Sequence, residues 1–199
     1  MPYLLLCLLS FFCYSVFADS PIVLNPQSPE ILAKDCTGCH GPNGISQGTV
    51  IPNIAGASNQ FLFDSMKKYQ SGKYLSTIMK PIAKAYNDIE LHKIADYFSA
   101  LPEAKITQPV ITKNIQQGAL LHKKYCQKCH NTKGEVNDDE ASKLAGQWSD
   151  YLRLSFQDIK AGKREIPRKM KKRLQRLLAR QGDQAIEALL AYYAQVNPD

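Results

Sequence analysis

Strands leave little trace in this sequence, because no sustained stretch shows the apolar–polar alternation of a half-buried sheet. A sandwich or barrel is excluded, and an all-α fold is expected. Eleven glycines and eleven prolines in 199 residues are ordinary numbers, which rules out collagen and low-complexity disorder. Six cysteines are too few for a disulfide-dense scaffold of this size. Acidic side chains are the scarcer charge, 18 against 25 Lys and Arg, for a formal +7. That balance invites an acidic partner, with nucleic acid among those to weigh. Long apolar runs are absent after the first 18 residues, so nothing later is expected to span a bilayer.

The one apolar run is at the start. Residues Leu4 to Phe17 carry no charge, and Val16-Phe17-Ala18 ends them on a small residue. This length suits a secretory signal and is short for a membrane span, so residues 1–18 are expected to be removed after Ala18. A retained anchor is the alternative, since no Lys or Arg precedes the run. The mature chain is then exported to the periplasm without a membrane span. Cys7 and Cys13 leave with the signal, and four cysteines remain.

Those four fall in one frame used twice, Cys36-Thr37-Gly38-Cys39-His40 and Cys126-Gln127-Lys128-Cys129-His130. C-x-x-C-H is the attachment motif of c-type haem. On a helical turn the positions i, i+3 and i+4 share a face. Two thiols there can bond to the two vinyl groups of a porphyrin edge while the adjoining imidazole reaches the iron. A zinc site would want a second ligand pair nearby, which neither frame has. A redox dithiol leaves both histidines unexplained, and chance rarely doubles a five-residue frame.

The duplication extends past the motif. At the same offset of 90 residues, Ala55-Gly56 matches Ala145-Gly146, Leu62 matches Leu152, and Gly72-Lys73 matches Gly162-Lys163. The closing segments Ala95-Asp96-Tyr97-Phe98 and Leu190-Ala191-Tyr192-Tyr193 match at an offset of 95, so about five residues are inserted ahead of the second module's last helix. Two tandem haem domains are expected, at 19–101 and 116–199, with residues 102–115, which contain Pro102 and Pro109, as the linker. The expected helices are Pro29–Cys39, Asn59–Gly72 and Asn87–Ala100, then Ile115–Cys129, Trp148–Ala161, Pro167–Gln181 and Asp183–Gln195. Asn59, Asn87 and Asp183 are the expected caps and Gly72 and Gly182 the expected stops.

With His40 and His130 as one axial ligand each, the sixth position decides the chemistry. Met79 follows His40 by 39 residues and Met170 follows His130 by 40, whereas Met66 follows His40 by only 26. The repeat therefore selects Met79 and Met170, and Met66 is expected to be helix packing. His92 has no counterpart in the second module, and His122 lies eight residues before His130 on the proximal side. Both are expected to be partly exposed surface histidines. Two His/Met haems leave no open position for O₂ or peroxide, and a thioether raises the potential. Such sites move single electrons, and no catalytic constellation accompanies them.

Charge divides between the halves. Residues 1–109 hold eight basic and eight acidic side chains, and residues 110–199 hold 17 and 10. Ten basic residues and one acid, Glu165, lie between Lys160 and Arg180. This segment reads either as a solvated helix that offsets haem carboxylates or as a docking face beside Met170 for an acidic redox partner. Nucleic acid is not expected, because no aromatics interleave the basic run.

Ser76 to Tyr86, then Leu121 to His130, Leu144-Ala145-Gly146-Gln147-Trp148, Arg168-Lys169-Met170 and Ala191-Tyr192-Tyr193-Ala194 resemble, in order, the cytochrome subunit of flavocytochrome c sulfide dehydrogenase. The likeness runs over nearly the whole mature chain, and the Gly-Gln-Trp stretch is its most particular part. It implies two class I cytochrome c-like domains, each around a covalent haem c. It further implies a flavin-bearing, sulfide-oxidising partner subunit and a soluble periplasmic cytochrome as acceptor. Cys36, Cys39, Cys126 and Cys129 would be the thioether links, His40 and His130 the proximal ligands, and Met79 and Met170 the distal ones. The chain itself would then be an electron-transfer subunit, not an enzyme. The other expectation is a free diheme carrier that feeds a terminal oxidase. Module two departs from the pattern, with Ser142 where Pro52 would support the proximal histidine.

Overall fold

A computed structural model describes residues 28–109, 112–135 and 142–195. The expected signal peptide and its cleavage site lie outside them. The described residues form eight α-helices, and the only pairing of strand type among them is an isolated antiparallel bridge between Tyr74 and Arg164.

Module one contains α1 (Pro29–His40), α2 (Asn59–Ser71), α3 (Met79–Lys84) and α4 (Asp88–Ser99). Pro29 starts α1 where its missing N–H costs nothing, and the Ser28 hydroxyl accepts from the Ile31 N–H. Leu32 and Ala33 of α1 pack on Ile94 and Phe98 of α4, so the first and last helices of the module cross. The cap of α2 is Ser58 and not Asn59, its hydroxyl accepting from the Phe61 N–H at 3.3 Å. Asn59 instead donates to Asp96 on α4. Asn87 caps α4 as expected, in a reciprocal box with Glu90. Gly72 ends α2 at φ +80°, where a side chain would be strained.

Module two repeats the plan with α5 (Ile115–Leu121), α6 (Ser149–Lys160), α7 (Arg168–Gln181) and α8 (Gln184–Gln195). The long helix expected over Ile115–Cys129 breaks up. After α5 the chain makes a π-helical turn over His122–Cys126, in which the Gln127 N–H reaches back to the His122 carbonyl at 2.9 Å. The insertion falls where the methionine-bearing helices differ in length: α7 has 14 residues and α3 has six. The α5–α8 crossing holds the larger core, with Leu121, Tyr125, Leu189, Leu190 and Tyr193 joined by Leu152 and Phe156 from α6 and Leu177 from α7.

The duplication is also legible in the loops. In module one the Gly44 carbonyl accepts from Ile54 and Ala55, and the Gly56 N–H donates to Phe98. In module two the Gly134 carbonyl accepts from Leu144 and Ala145, and the Gly146 N–H donates to Tyr193. Gly44 and Gly134 have φ of +75° and +88°, and a Cβ there would lie 2.9 Å from the ring of Phe98 or Tyr193.

The modules meet about a pseudo-two-fold axis. Leu75 N–H donates to the Lys163 carbonyl at 2.7 Å, and Glu165 N–H donates to the Lys73 carbonyl at 3.0 Å. These partners are repeat equivalents, so each module offers the other the same edge. The Gly-Gln-Trp stretch supplies the rest. Gln147 accepts from the Asn53 N–H and donates to the Asn53 carbonyl, both at 3.0 Å, and Trp148 Nε1 donates to the Ser46 carbonyl at 3.2 Å. Residues 102–109 are packed as well: Ala104 and Ile106 are buried against Ala55 and Trp148, and Gln108 bonds Gln147 and Ser149.

Candidate functional site

In module one the C-x-x-C-H frame is the last turn of α1, with Cys36 half-buried, Cys39 exposed and His40 closing the helix. In module two the frame follows the π turn, and the His130 N–H bonds the Cys126 carbonyl at 3.0 Å, which closes one α turn over the motif. Cys126 is half-buried and Cys129 exposed, as in the first copy. Each frame therefore sets one thiol toward the core and one at the rim, with the imidazole beside them. Burial, aided by Asp35, pushes the Cys36 thiol up to about 11, and burial also raises Cys126.

His40 Nδ1 lies 2.9 Å from the Pro52 carbonyl, and His130 Nδ1 lies 3.1 Å from the Ser142 carbonyl. A carbonyl can only accept, so both Nδ1 atoms carry the proton and both Nε2 atoms keep a lone pair. That is the tautomer an iron ligand requires. Burial lowers the His40 pKa and favours the same neutral form. The weaker support implied for module two by the loss of Pro52's counterpart is not found: the acceptor is a main-chain carbonyl, which Ser142 supplies equally well.

Met79 begins α3, its N–H held by the Ser76 hydroxyl at 3.0 Å, and Met170 is the third residue of α7; both are half-buried. Met66 is half-buried within α2. His92 is exposed and stacks on Phe63 with ring centroids 3.9 Å apart. His122 is not a surface residue. It is 3% exposed, and its Nδ1 meets the Tyr193 hydroxyl at 3.0 Å at the α5–α8 crossing. Its repeat counterpart is the core residue Leu32, so the position is a core position in both modules.

The surroundings fit a flat apolar group held at these residues. Helix α2 carries Phe61, Leu62, Phe63, Met66 and Tyr69, yet buries none of them fully. Near Met79, Leu75, Ile78 and Ile82 are exposed at 55%, 64% and 37%. Apolar surface of this extent is stable when a plate lies on it. Among the described residues no three His, Cys, Asp or Glu gather as a metal site.

No protein-family model matches the chain. The fold is that of reduced recombinant cytochrome c4 from Pseudomonas stutzeri, with a TM-score of 0.69 over 85% of this chain and 99% of that one at 22% identity. Cytochrome c-553 of Nitratidesulfovibrio vulgaris is 35% identical over 74 residues, which are 72% of its length and 35% of this chain. This chain belongs to the class I c-type cytochromes. It is a diheme member with two tandem domains and two covalently bound haem c groups. The cytochrome subunit of sulfide dehydrogenase from Chlorobaculum tepidum is 42% identical over 72 residues, which span 36% of this cytochrome and 64% of that subunit. As a family the c-type cytochromes carry electrons, and this cytochrome does so with two haems.

Proposed function

We propose that this cytochrome is the haem subunit of a flavocytochrome c sulfide dehydrogenase, working in the periplasm after loss of residues 1–18. Two domains, 19–101 and 116–199, are joined in this reading by 102–115. The observation that carries it is the 42% identity to the cytochrome subunit of sulfide dehydrogenase, together with the Gly-Gln-Trp stretch. Cys36 and Cys39, and Cys126 and Cys129, hold the two haems as thioethers. His40 and His130 are the proximal ligands and Met79 and Met170 the distal ones. Each haem, when bound, stores one electron at its iron. The chain's own work is to hold the His40 and His130 imidazoles by the Pro52 and Ser142 carbonyls, and a methionine opposite each would leave no open position on the iron for a small molecule. Oxidation of HS⁻ to S⁰ releases two electrons and a proton; the electrons match two one-electron haems, and the proton stays with the flavin partner's solvent. A soluble periplasmic cytochrome then takes the electrons one at a time.

The test is reduction of the purified diheme protein by sulfide with and without a flavin-bearing sulfide dehydrogenase subunit, together with copurification of the two. Haem reduction that requires the flavoprotein supports the reading. Equal reduction without it, and no stable complex, turns the assignment to a free diheme carrier feeding a terminal oxidase. The specific observation behind that second reading is the fold match to cytochrome c4 along its entire length.

The docking face follows from charge. Helix α7 carries Arg168, Lys169, Lys171, Lys172, Arg173, Arg176 and Arg180 and no acid. Among the described residues none of these seven makes an ion pair. Unpaired cations beside Met170 steer an acidic redox protein toward the second haem. The K171Q/K172Q/R173Q variant is expected to slow electron exchange with such a partner by about tenfold at low salt and to flatten its salt dependence. Stopped-flow reduction at several ionic strengths checks this, and an unchanged salt slope refutes it.

A further inference from the structure

The pair at the centre of the pseudo-two-fold joint is asymmetric: Tyr74 of module one faces Arg164 of module two across the isolated bridge. The Arg164 guanidinium stands 4.2 Å from the Tyr74 ring centroid, with the Tyr69 and Tyr151 hydroxyls beside it. Cation–π contact and phenols orient a guanidinium but do not neutralise it. Among the described residues no carboxylate reaches it at ion-pair distance, and neighbouring Glu165 is engaged by Lys73 at 3.4 Å. A half-buried cation held in this way is a seat for an anion.

The seat opens on a cavity of about 160 Å³ between the modules, lined by Val50, Tyr69, Ser76, Tyr151, Asp158 and Arg164 among others. Lys163 also lines it, and Lys68 Nζ stands 5.4 Å from the Tyr74 ring, so cations outnumber the single Asp158. Two of the lining residues tie the cavity to the first haem site. Val50 lies two positions before Pro52, whose carbonyl holds His40, and the Ser76 hydroxyl holds the N–H of Met79. The cavity therefore borders the loop whose Pro52 carbonyl holds His40 and the segment that leads into Met79. A porphyrin bonded through its vinyl groups to Cys36 and Cys39 would have its carboxylate edge on the side away from α1.

We propose that Arg164 of the second module is the counter-ion for a propionate of the first module's haem, so that the potential of one haem depends on a residue of the other domain. This rests on the ligand assignment above. A guanidinium facing the propionate favours the ferrous state, in which the haem carries one positive charge fewer. The docked joint thereby holds the first haem at a higher potential than module one alone would give it.

The test uses the diheme holoprotein with Met170→His as background, so that the remaining methionine–iron absorption band reports the first haem alone. An unchanged spectrum in M170H overturns the ligand assignment and the Arg164 proposal with it. With that band established, R164Q is expected to lower the ferrous-to-ferric ratio of the first haem about tenfold at fixed potential, equal to about 59 mV for one electron. R164K, which keeps the charge, is expected to remain within about threefold of the parent. Gln147→Ala cuts the inter-module bonds to Asn53 without touching the cavity, and it is expected to move the ratio less than R164Q does. Equal falls in R164Q and R164K overturn the proposal, as does no fall in R164Q. A fall in Q147A as large as that in R164Q also overturns it, since loosening the joint would then suffice.

Discussion

Gly118→Ala is expected to unfold the second module at temperatures where the parent is stable. At the α5–α8 crossing a Cβ on residue 118 would lie 2.0 Å from the Ala188 carbonyl oxygen and 2.7 Å from Tyr192 Cβ. The first neighbour is main chain and cannot swing aside, so the two helices must move apart. That movement opens the packing of Leu121, Ala188, Leu189 and Tyr193, all nearly or fully buried. Overpacking ordinarily costs about 1–3 kcal/mol, and a backbone clash in the largest core of the chain belongs at about 3 kcal/mol or above. For a domain of this size that is a fall of more than about 10 °C in Tm. The haem hangs on the same crossing, because the motif begins one π turn after α5. The helical signal of module two in far-ultraviolet circular dichroism and the second haem's share of the methionine–iron absorption band are therefore expected to be lost together on heating, with module one retaining its own transition. A G118A variant that melts with the parent refutes the close-approach argument. Gly162→Ala is the comparison: its Cβ would meet nothing within 4 Å, although its φ of +71° carries a small strain of its own.

Much of this was legible in the sequence because duplication checks itself. Two identical motif frames and a constant offset locate both cysteine pairs, both histidines and the matched methionines without any contact being known. Apart from the helix expected over Ile115–Cys129, the expected helices agree with the observed ones to within a residue or two at each end. What escaped has a physical reason in each case. Helix α3 is six residues long and contains Pro81, too short for an apolar period to register, yet Pro is tolerated in a first turn whose N–H groups have no intrahelical acceptor. The π turn escaped because a five-residue and a four-residue turn leave the same apolar pattern over so short a stretch. His122 reads as a surface residue by its type, while its repeat counterpart Leu32 carries the opposite signal. Gln147 and Trp148 act on residues 94 and 102 positions away, and Arg164 pairs with Tyr74, which no local pattern encodes. The Gly-Gln-Trp stretch stood out as a family likeness, and the structure gives it work as the clasp between modules.

Replacing either proposed methionine ligand is expected to give the largest change in redox behaviour of any single substitution here. Thioether sulfur is a soft ligand that favours ferrous iron, whereas imidazole is a stronger donor that favours ferric. Met79→His and Met170→His are therefore expected to keep low-spin, six-coordinate haem while lowering the potential of the altered haem by a few tenths of a volt. That lies within the roughly 0.8 V over which axial ligands set haem potentials. Met79→Ala and Met170→Ala are expected to go further and leave a high-spin haem at the altered site, visible in the absorption spectrum. The two sites differ in what the change does to the protein. Met79 starts a short helix held through Ser76, so a substitution there is expected to loosen α3. Met170 lies near the start of the 14-residue α7, which Leu177 anchors in the core, so Met170 variants should keep their fold. Met66→Ala and His92→Ala serve as the discriminating controls. Spectroelectrochemical titration of all six variants decides the matter: a weakened methionine–iron absorption band in M66A, or retention of its full two-haem intensity in M79A or M170A, would overturn the assignment. With one haem lowered by a few tenths of a volt, electrons can no longer pass evenly through the pair. Reduction of the diheme protein should then stop after one electron at potentials where the parent takes up two.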